Sequence, residues 1–472
     1  MNSQILKQAV LGLALMTGVP LRSQVSPAPE SGSNPPSDNM PAAPVQETVT
    51  ETTEAPLPAL ADDRMQTPPP ISGAAYPTVP LAAQRSNYLR GGLTFTTAYS
   101  DNVLGSISAA PVSDISYSIF PNIALDQTTG RMHFLLSYSP GFTFYQRVSS
   151  RNQQNQNVGV NFSYRLSPHV TLSLHDSFQK SSSVLDQPGL ASSGSVNGGT
   201  QGVPVNVIAP LADQLNNNGD AELTYQFSLS DMVGVSGTFS NLHYPDPQQV
   251  TGLYDSSSQG ASAFYNHRLS KKHYLGASYQ FQRILSYPPN AQSDTQTQAV
   301  MVFYTVYLQQ HLSVSLSGGP QHSNVSQAPL PSSQQWSPAV SASVGWQGRR
   351  VTFAASYSRV VSGGGGLVGA FHSNSANLNS HQQLTRNWNL NENGSYSINK
   401  TVTPFAFFST PGGHSISGSA AVQRRVGQHF GVEAGYTRLH QSYSNIGAVS
   451  QAPDTNREYI SISYEFARPL GR

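Results

Sequence analysis

The stretch "VGVNFSYRLSPHVTLSLHDSF" (158–178) alternates with period two. Val158, Val160, Phe162, Tyr164 and Leu166 are apolar, while Gly159, Asn161, Ser163 and Arg165 between them are small or polar. After Ser167-Pro168-His169 the alternation resumes with Val170, Leu172 and Leu174. Successive side chains of a strand point to opposite faces, so this period gives each strand one apolar and one polar face. The short turn makes the two strands an antiparallel hairpin.

The same punctuation recurs along the chain: "QFSLSDMVGVSG", "HRLSKKHYLGAS", "VYLQQHLSVSLS", "GWQGRRVTFAAS", "QQLTRNWNLNEN" and "QRRVGQHFGVEAG". Between these tight turns sit longer connections rich in Gly, Ser, Asn, Gln and Pro, the longest at 181–218. The pattern predicts about 18 strands between residues 88 and 467, among them 219–229, 311–322, 335–346, 350–361 and 372–385. An even count with short turns alternating strictly with long loops is the asymmetry of a transmembrane β-barrel. The long first and last connections put both termini on the short-turn side, predicted to be the periplasm.

Composition supports a membrane barrel over a soluble sandwich. Asp, Glu, Lys and Arg make up only 10% of the 472 residues, against roughly 25% in an average soluble domain. Net charge is +1, which gives no reason to expect a nucleic-acid partner. No stretch beyond the N-terminus approaches the ~20 apolar residues of a spanning helix. The chain has no cysteine, so disulfides, thiolate chemistry and a lipidated cysteine are excluded. Aromatics near the turns, at Tyr164, Phe227, Tyr274, Trp388 and Phe430, read as an interfacial girdle on the apolar face.

Lys7 followed by the apolar run 9–19 reads as a secretory signal over 1–23, with cleavage near Ser23. Residues 24–85 are rich in proline and acidic residues and nearly free of aromatics, so they read as a disordered periplasmic tether. Within them "QETVTETTEA" resembles the energy-coupling box of TonB-dependent transporters. Those proteins follow the box with a globular plug, whereas here only Pro-rich chain precedes the first strand. Residues 86–472 form the predicted barrel.

The segments "AYSDNVLGS" (98–106) and "REYISISYEF" (457–466), with strands of this kind, resemble the large porin-like outer-membrane β-barrel proteins of Gram-negative bacteria. That resemblance implies residence in the outer membrane, lipid as the surrounding partner and insertion by the barrel assembly machinery. The final strand, with Ile460, Ile462, Tyr464 and Phe466 on one face, is similar to the signal that machinery reads. Here "ARPLGR" follows the aromatic, where typical members end on it.

No catalytic, cofactor or metal site stands out, and no cofactor is expected. "FHSNSANLN" (371–379) faintly resembles the His-Ser-Asn motifs of outer-membrane acyl hydrolases. Such a site needs His and Ser two residues apart on one face, yet Asn374 occupies that position after His372, and "HSN" at 322–324 has the same defect. His169, His273, His311 and His429 sit at short turns, where a ring can lie among headgroups. The glycine run at 362–369 lacks the Lys-Ser/Thr of a phosphate loop and reads as a flexible outer loop.

The polar face is therefore the place for function. Candidate lumen-lining residues are Arg131, Arg147, Asn157, Asn161, Ser163, Arg165, Glu222, Gln226, Gln280, Gln282, Asn389, Asn391, Asn393, Glu433, Ser461 and Glu465. They are mostly neutral hydrogen-bonding groups, which suits uncharged polar or sugar-like solutes better than selected ions. The expected function is a channel, with polysaccharide export as a variant; a plugged surface scaffold is the alternative, and an acyl hydrolase a third. The apolar segment 203–215 is expected to dip into the mouth and set the size cutoff. A closed barrel resists detergent, so unheated protein should run faster on gels than boiled protein and fractionate with outer membranes. Recovery in a detergent-free soluble fraction would rule the barrel out.

Overall fold

The computed structural model describes residues 87–103, 111–182, 213–246, 253–288, 292–309, 311–327, 330–402, 412–444 and 454–470. The first half holds β1 (Tyr88–Ser100), β2 (Asp114–Thr128), β3 (Met132–Tyr145), β4 (Gln153–Arg165), β5 (Val170–Ser181), β6 (Gln214–Gln226), β7 (Asp231–His243), β8 (Ser256–Ser270) and β9 (His273–Ser286). The second holds β10 (Ser293–Gln309), β11 (Leu312–Gln327), β12 (Leu330–Gln347), β13 (Val351–Gly364), β14 (Leu367–Gln383), β15 (Trp388–Thr401), β16 (Gly412–Val426), β17 (Phe430–Ser444) and β18 (Thr455–Pro469).

Each strand pairs antiparallel with the next, and β1 pairs with β18 from Tyr88↔Pro469 to Ser100↔Arg457. The fold is a closed, up-and-down antiparallel barrel of 18 strands, as the period-two pattern predicts. The signal and tether segments lie outside the described residues.

Register fixes the two faces, because partners across a ladder share one face. Val300, Val302, Leu316, Val340, Trp346, Ile462 and Phe466 stand exposed on the outer face. On β12, Trp336 and Trp346 both point outward, ten residues apart, and both are exposed. Ten residues span roughly 33 Å along a strand, or roughly 25 Å along the axis at the usual tilt of a membrane barrel. That height matches the apolar band such a barrel presents.

Several aromatics lie flat over a glycine directly across the ladder. Phe264 faces Gly234 and Phe303 faces Gly276 on the inner wall. A Cβ on Gly276 would lie 2.1 Å from Cζ of Phe303 and 2.5 Å from the Tyr265 carbonyl oxygen. Glycine is required there because the ring occupies the space of its missing side chain.

The structure corrects three boundaries. β6 begins at Gln214, so the longest connection is 182–213 rather than 181–218. β11 and β12 extend to Gln327 and from Leu330, leaving a two-residue connection on the end expected to carry only long loops. β13 and β14 likewise close through Gly365 and Gly366, with φ of 65° and 100°. Two positive φ values make a tight two-residue hairpin turn, where a flexible loop was expected.

Gly276→Val should therefore lower stability by about 1–3 kcal/mol through overpacking against Phe303. Gly394 has nothing within 4 Å of its would-be Cβ, and Gly394→Ala should change stability by less than ~0.5 kcal/mol. Urea midpoints followed by tryptophan fluorescence check both.

Candidate functional site

The inner wall is laced by hydroxyl pairs that join neighbouring strands. Ser118 meets Thr143 at 2.8 Å, Ser236 meets Ser262 at 2.8 Å, Thr305 meets Ser315 at 2.9 Å and Ser395 meets Ser417 at 2.8 Å. Thr96 and Ser461 make the same contact, at 2.8 Å, across the closing β1–β18 seam. These groups satisfy one another in the wall, so they hold strands in register as well as wetting the lumen.

Most residues singled out from the sequence share the face of these hydroxyls. Asn161 accepts from the Nδ1 of His175 at 2.6 Å, and Asn391 pairs with His381 in the same way at 2.6 Å. Asn393 donates to Ser419, and Gln282 donates to Ser258 at 3.0 Å. Glu433 accepts from the hydroxyl of Tyr459 at 2.8 Å. Glu222 is buried beside Ser236, its ladder partner. Asn157, Ser163 and Gln280 fall on the same face by register. Arg165, Gln226, Asn389 and Glu465 keep the inward phase at the short-turn rim.

Arg131 and Arg147 do not belong to this wall. Both lie in connections, because β3 spans only Met132–Tyr145. The backbone N–H of Arg147 donates to the Asp114 carboxylate at 3.0 Å, tying the β3–β4 connection to the start of β2. Tyr274 is corrected too: it faces inward and packs against Met232 and Phe264. The inner wall thus carries an apolar cluster on β7–β9 that composition alone did not reveal.

Two of the histidines at the turns hold backbone carbonyls. The Nδ1 of His169 donates to the Gln226 carbonyl at 3.0 Å, and that of His429 to the Glu465 carbonyl at 2.8 Å. A carbonyl can only accept, so the Nδ1–H tautomer is fixed in both. His372 lies on the opposite face of β14 from Ser373 and Ser375, so no His-Ser pair forms on one face there. His322 packs at a tilt against Trp336 on the outer face, 4.9 Å between ring centroids, with Ser323 buried on the opposite face.

The mouth is narrowed by the β13–β14 hairpin. The β12–β13 ladder stops at Val340↔Arg359, while β13 and β14 stay paired to their tip. Freed from β12, the hairpin leans inward onto β9, β10 and β11. Val361 and Ala370 bury with Ile284, Val325 and Val402, and the N–H of Val361 donates to Gln321 at 3.3 Å.

The tip is latched on the β7–β8 connection. The Tyr244 hydroxyl donates to the Gly365 carbonyl at 2.8 Å, and the Tyr254 N–H donates to the Gly366 carbonyl at 2.7 Å. Asp255 holds that connection by accepting from the Tyr244 N–H at 2.9 Å and from His243 at 2.6 Å. Burial, with the Asp255 carboxylate nearby, pushes the Tyr244 phenol well above its usual range. Tyr244 therefore stays a hydrogen-bond donor. Of the segment expected to enter the mouth, 203–212 lie outside the described residues, and Gln214 and Leu215 belong to β6.

No family model matches the chain, and no curated protein matches it. Solved structures with a similar fold include the siderophore receptor PirA from Pseudomonas aeruginosa, 9% identical over 81% of each chain with a TM-score of 0.39. OccAB2 from Acinetobacter baumannii is 11% identical over 80% of this chain and 98% of its own, with a TM-score of 0.39. OccK2 from Pseudomonas aeruginosa, solved with glucuronate, is 10% identical over 80% of this chain and 98% of its own, with a TM-score of 0.39.

Tyr244→Phe keeps the ring and leaves the Gly365 carbonyl without its donor, a cost of about 1–3 kcal/mol for a buried group. Amide hydrogen exchange in 360–370 should accelerate about tenfold, with exchange in β1 and β18 unchanged. Unchanged exchange at the tip would show that the tyrosine does not latch it.

Proposed function

We propose that this barrel spans the bacterial outer membrane, both termini periplasmic, and passes small polar, sugar-like solutes through its lumen. The observation that carries the reading is the contrast between the two faces of one wall. The outer face is an apolar band bounded by Trp336 and Trp346. The inner face presents neutral amides and hydroxyls, among them Asn161, Gln280, Gln282, Asn389 and Asn391. Such groups exchange hydrogen bonds with a sugar without demanding a charge.

Inner-face charges of both signs, at Arg165, Glu222, Glu433 and Glu465, are scattered rather than ringed. A barrel of this strand number leaves an aqueous lumen unless something fills it, and the β13–β14 hairpin supplies the narrowing. Export of a polysaccharide would use the same surface chemistry with a longer cargo. Insertion would depend on the assembly machinery reading β18.

A second reading is favoured by the hairpin's own burial. If Val361 and Ala370 close the lumen together with the inner cluster around Met232 and Phe264, the barrel is a surface scaffold and its loops are the working part. Neither reading uses catalysis.

Planar-bilayer recording separates them. Replacing residues 363–370 with Asn-Gly closes the hairpin at the Ser362↔Phe371 rung. The channel reading expects conductance from the native protein, and greater conductance with entry of larger sugars in the shortened variant. Electrical silence in both, with heat-modifiable migration intact, would favour the scaffold.

A further inference from the structure

Where β13 leaves β12, the wall is left with a crevice of about 860 Å³ at the long-loop end. The upper part of β12 forms one side, and the upper ends of β14, β15 and β16 form the other. It exists because two ladders end at different heights. Pairing of β12 with β13 stops at Val340↔Arg359, whereas β14 stays paired with β15 up to Phe371↔Thr401.

Three nitrogen bases converge on the crevice. His372 and Lys400 face each other across the β14–β15 ladder. His414 stands opposite Ile398 on the next ladder, its ring 6.4 Å from that of Tyr396. The Nε2 of His372 reaches across to Gln335 of β12 at 3.4 Å. Arg359 shares the outward phase next to this group, and its Nε has no hydrogen-bond partner. Lys400 is exposed, and no carboxylate pairs with it among the described residues.

Three other outward bases of the long-loop end are paired. Arg283 makes a forked contact with Asp294 at 2.6 Å, and both Arg438 and His440 are paired with Asp454. Lys400 is therefore the cation at the crevice that no described carboxylate pairs with, and His372 and His414 add imidazole donors beside it.

The order of groups down β15 matches an amphiphile standing in a leaflet. Lys400, Ile398 and Tyr396 follow one another on the same face from rim to mid-wall, a cation above an aliphatic and then an aromatic surface. Ammonium and imidazole donors recognise phosphate oxygens by charge-assisted hydrogen bonds. The apolar pair beneath them matches an acyl chain.

We propose that the crevice binds an anionic lipid, its phosphate on Lys400, His372 and His414 and its acyl chain along Ile398 and Tyr396. The proposal rests on the barrel being in a membrane, and it adds a site at the seam where the outward faces of β15 and β16 meet the upper part of β12. The phosphate chemistry alone would also admit free inorganic phosphate, and the acyl surface is what separates the two.

Native mass spectrometry of the full chain in neutral detergent tests this with dioleoyl phosphatidic acid, dioleoyl phosphatidylcholine and inorganic phosphate. Phosphatidic acid should bind with one tight site per chain, and the other two at least about tenfold more weakly. The Lys400→Gln/His372→Gln variant should weaken phosphatidic acid binding about tenfold, and exposed Lys400→Gln alone by several fold. Lys180→Gln, at an outward strand-end lysine of the opposite wall, should leave binding unchanged.

Equal binding of phosphatidylcholine or of inorganic phosphate would overturn the proposal, as would undiminished binding in both Lys400 variants. Vesicle insertion and heat-modifiable migration are scored in parallel. Loss of those in the native chain refutes the membrane reading itself, while their retention with no selective lipid site refutes only the crevice.

Discussion

Closure of the hydrogen-bond ladder between β1 and β18 is the constraint on which the rest depends. A backbone surrounded by lipid has no water to satisfy its N–H and C=O groups, so a sheet survives there only without edges. The pairing of Tyr88 through Ser100 with Pro469 through Arg457 removes the last two edges. Once the ring is closed, every residue is assigned to the outside or the inside by parity. The apolar belt, the hydroxyl rungs and the lumen-facing amides all follow from that parity.

The inner wall shows how a wide ring is kept in register without a solid core. Ser and Thr pairs join adjacent strands, and aromatic rings lie over glycines directly opposite. Both devices work across single ladders, so each strand is located by its two neighbours. Among the described residues this logic is relaxed most in the upper half of β13, which is released from β12 and packs inward instead. Mouth and crevice are two outcomes of that single departure: the hairpin that narrows the lumen leaves the gap it vacated.

Much of this was legible in the sequence wherever a strand crosses the belt, because there one face meets an apolar surround and the other a polar lumen. That is why the strand number and the phase of Asn161, Gln280, Gln282, Asn391 and Glu433 could be read directly. Beyond the belt the contrast fades. The polar run "QLNNN" opening β6 and the upper parts of β11 to β14 carry no clear hydropathic alternation, so their extensions were read as loops. Arg131 and Arg147 fell just past strand ends, where boundaries are softest. Tyr274 had the phase of Gln280 and Gln282, but its aromatic character outweighed its parity in the reading. The latch of Tyr244 on Gly365 joins residues far apart in the chain, and no local pattern announces it.

The short β12–β13 ladder gives this ring a mechanical weak point. Its rungs run only from Val340↔Arg359 to Gln347↔Thr352, while β10–β11 and β13–β14 are bonded over almost their whole length. A closed hoop under tension loosens where the fewest bonds must break together, and here that is the upper end of the β12–β13 seam. The three-residue turn 348–350 still ties the lower ends of these two strands, so the seam would gape from the long-loop end as a wedge. Only the β1–β18 seam, which no turn spans, can part along its whole length, so the ring has one place to gape and another to open.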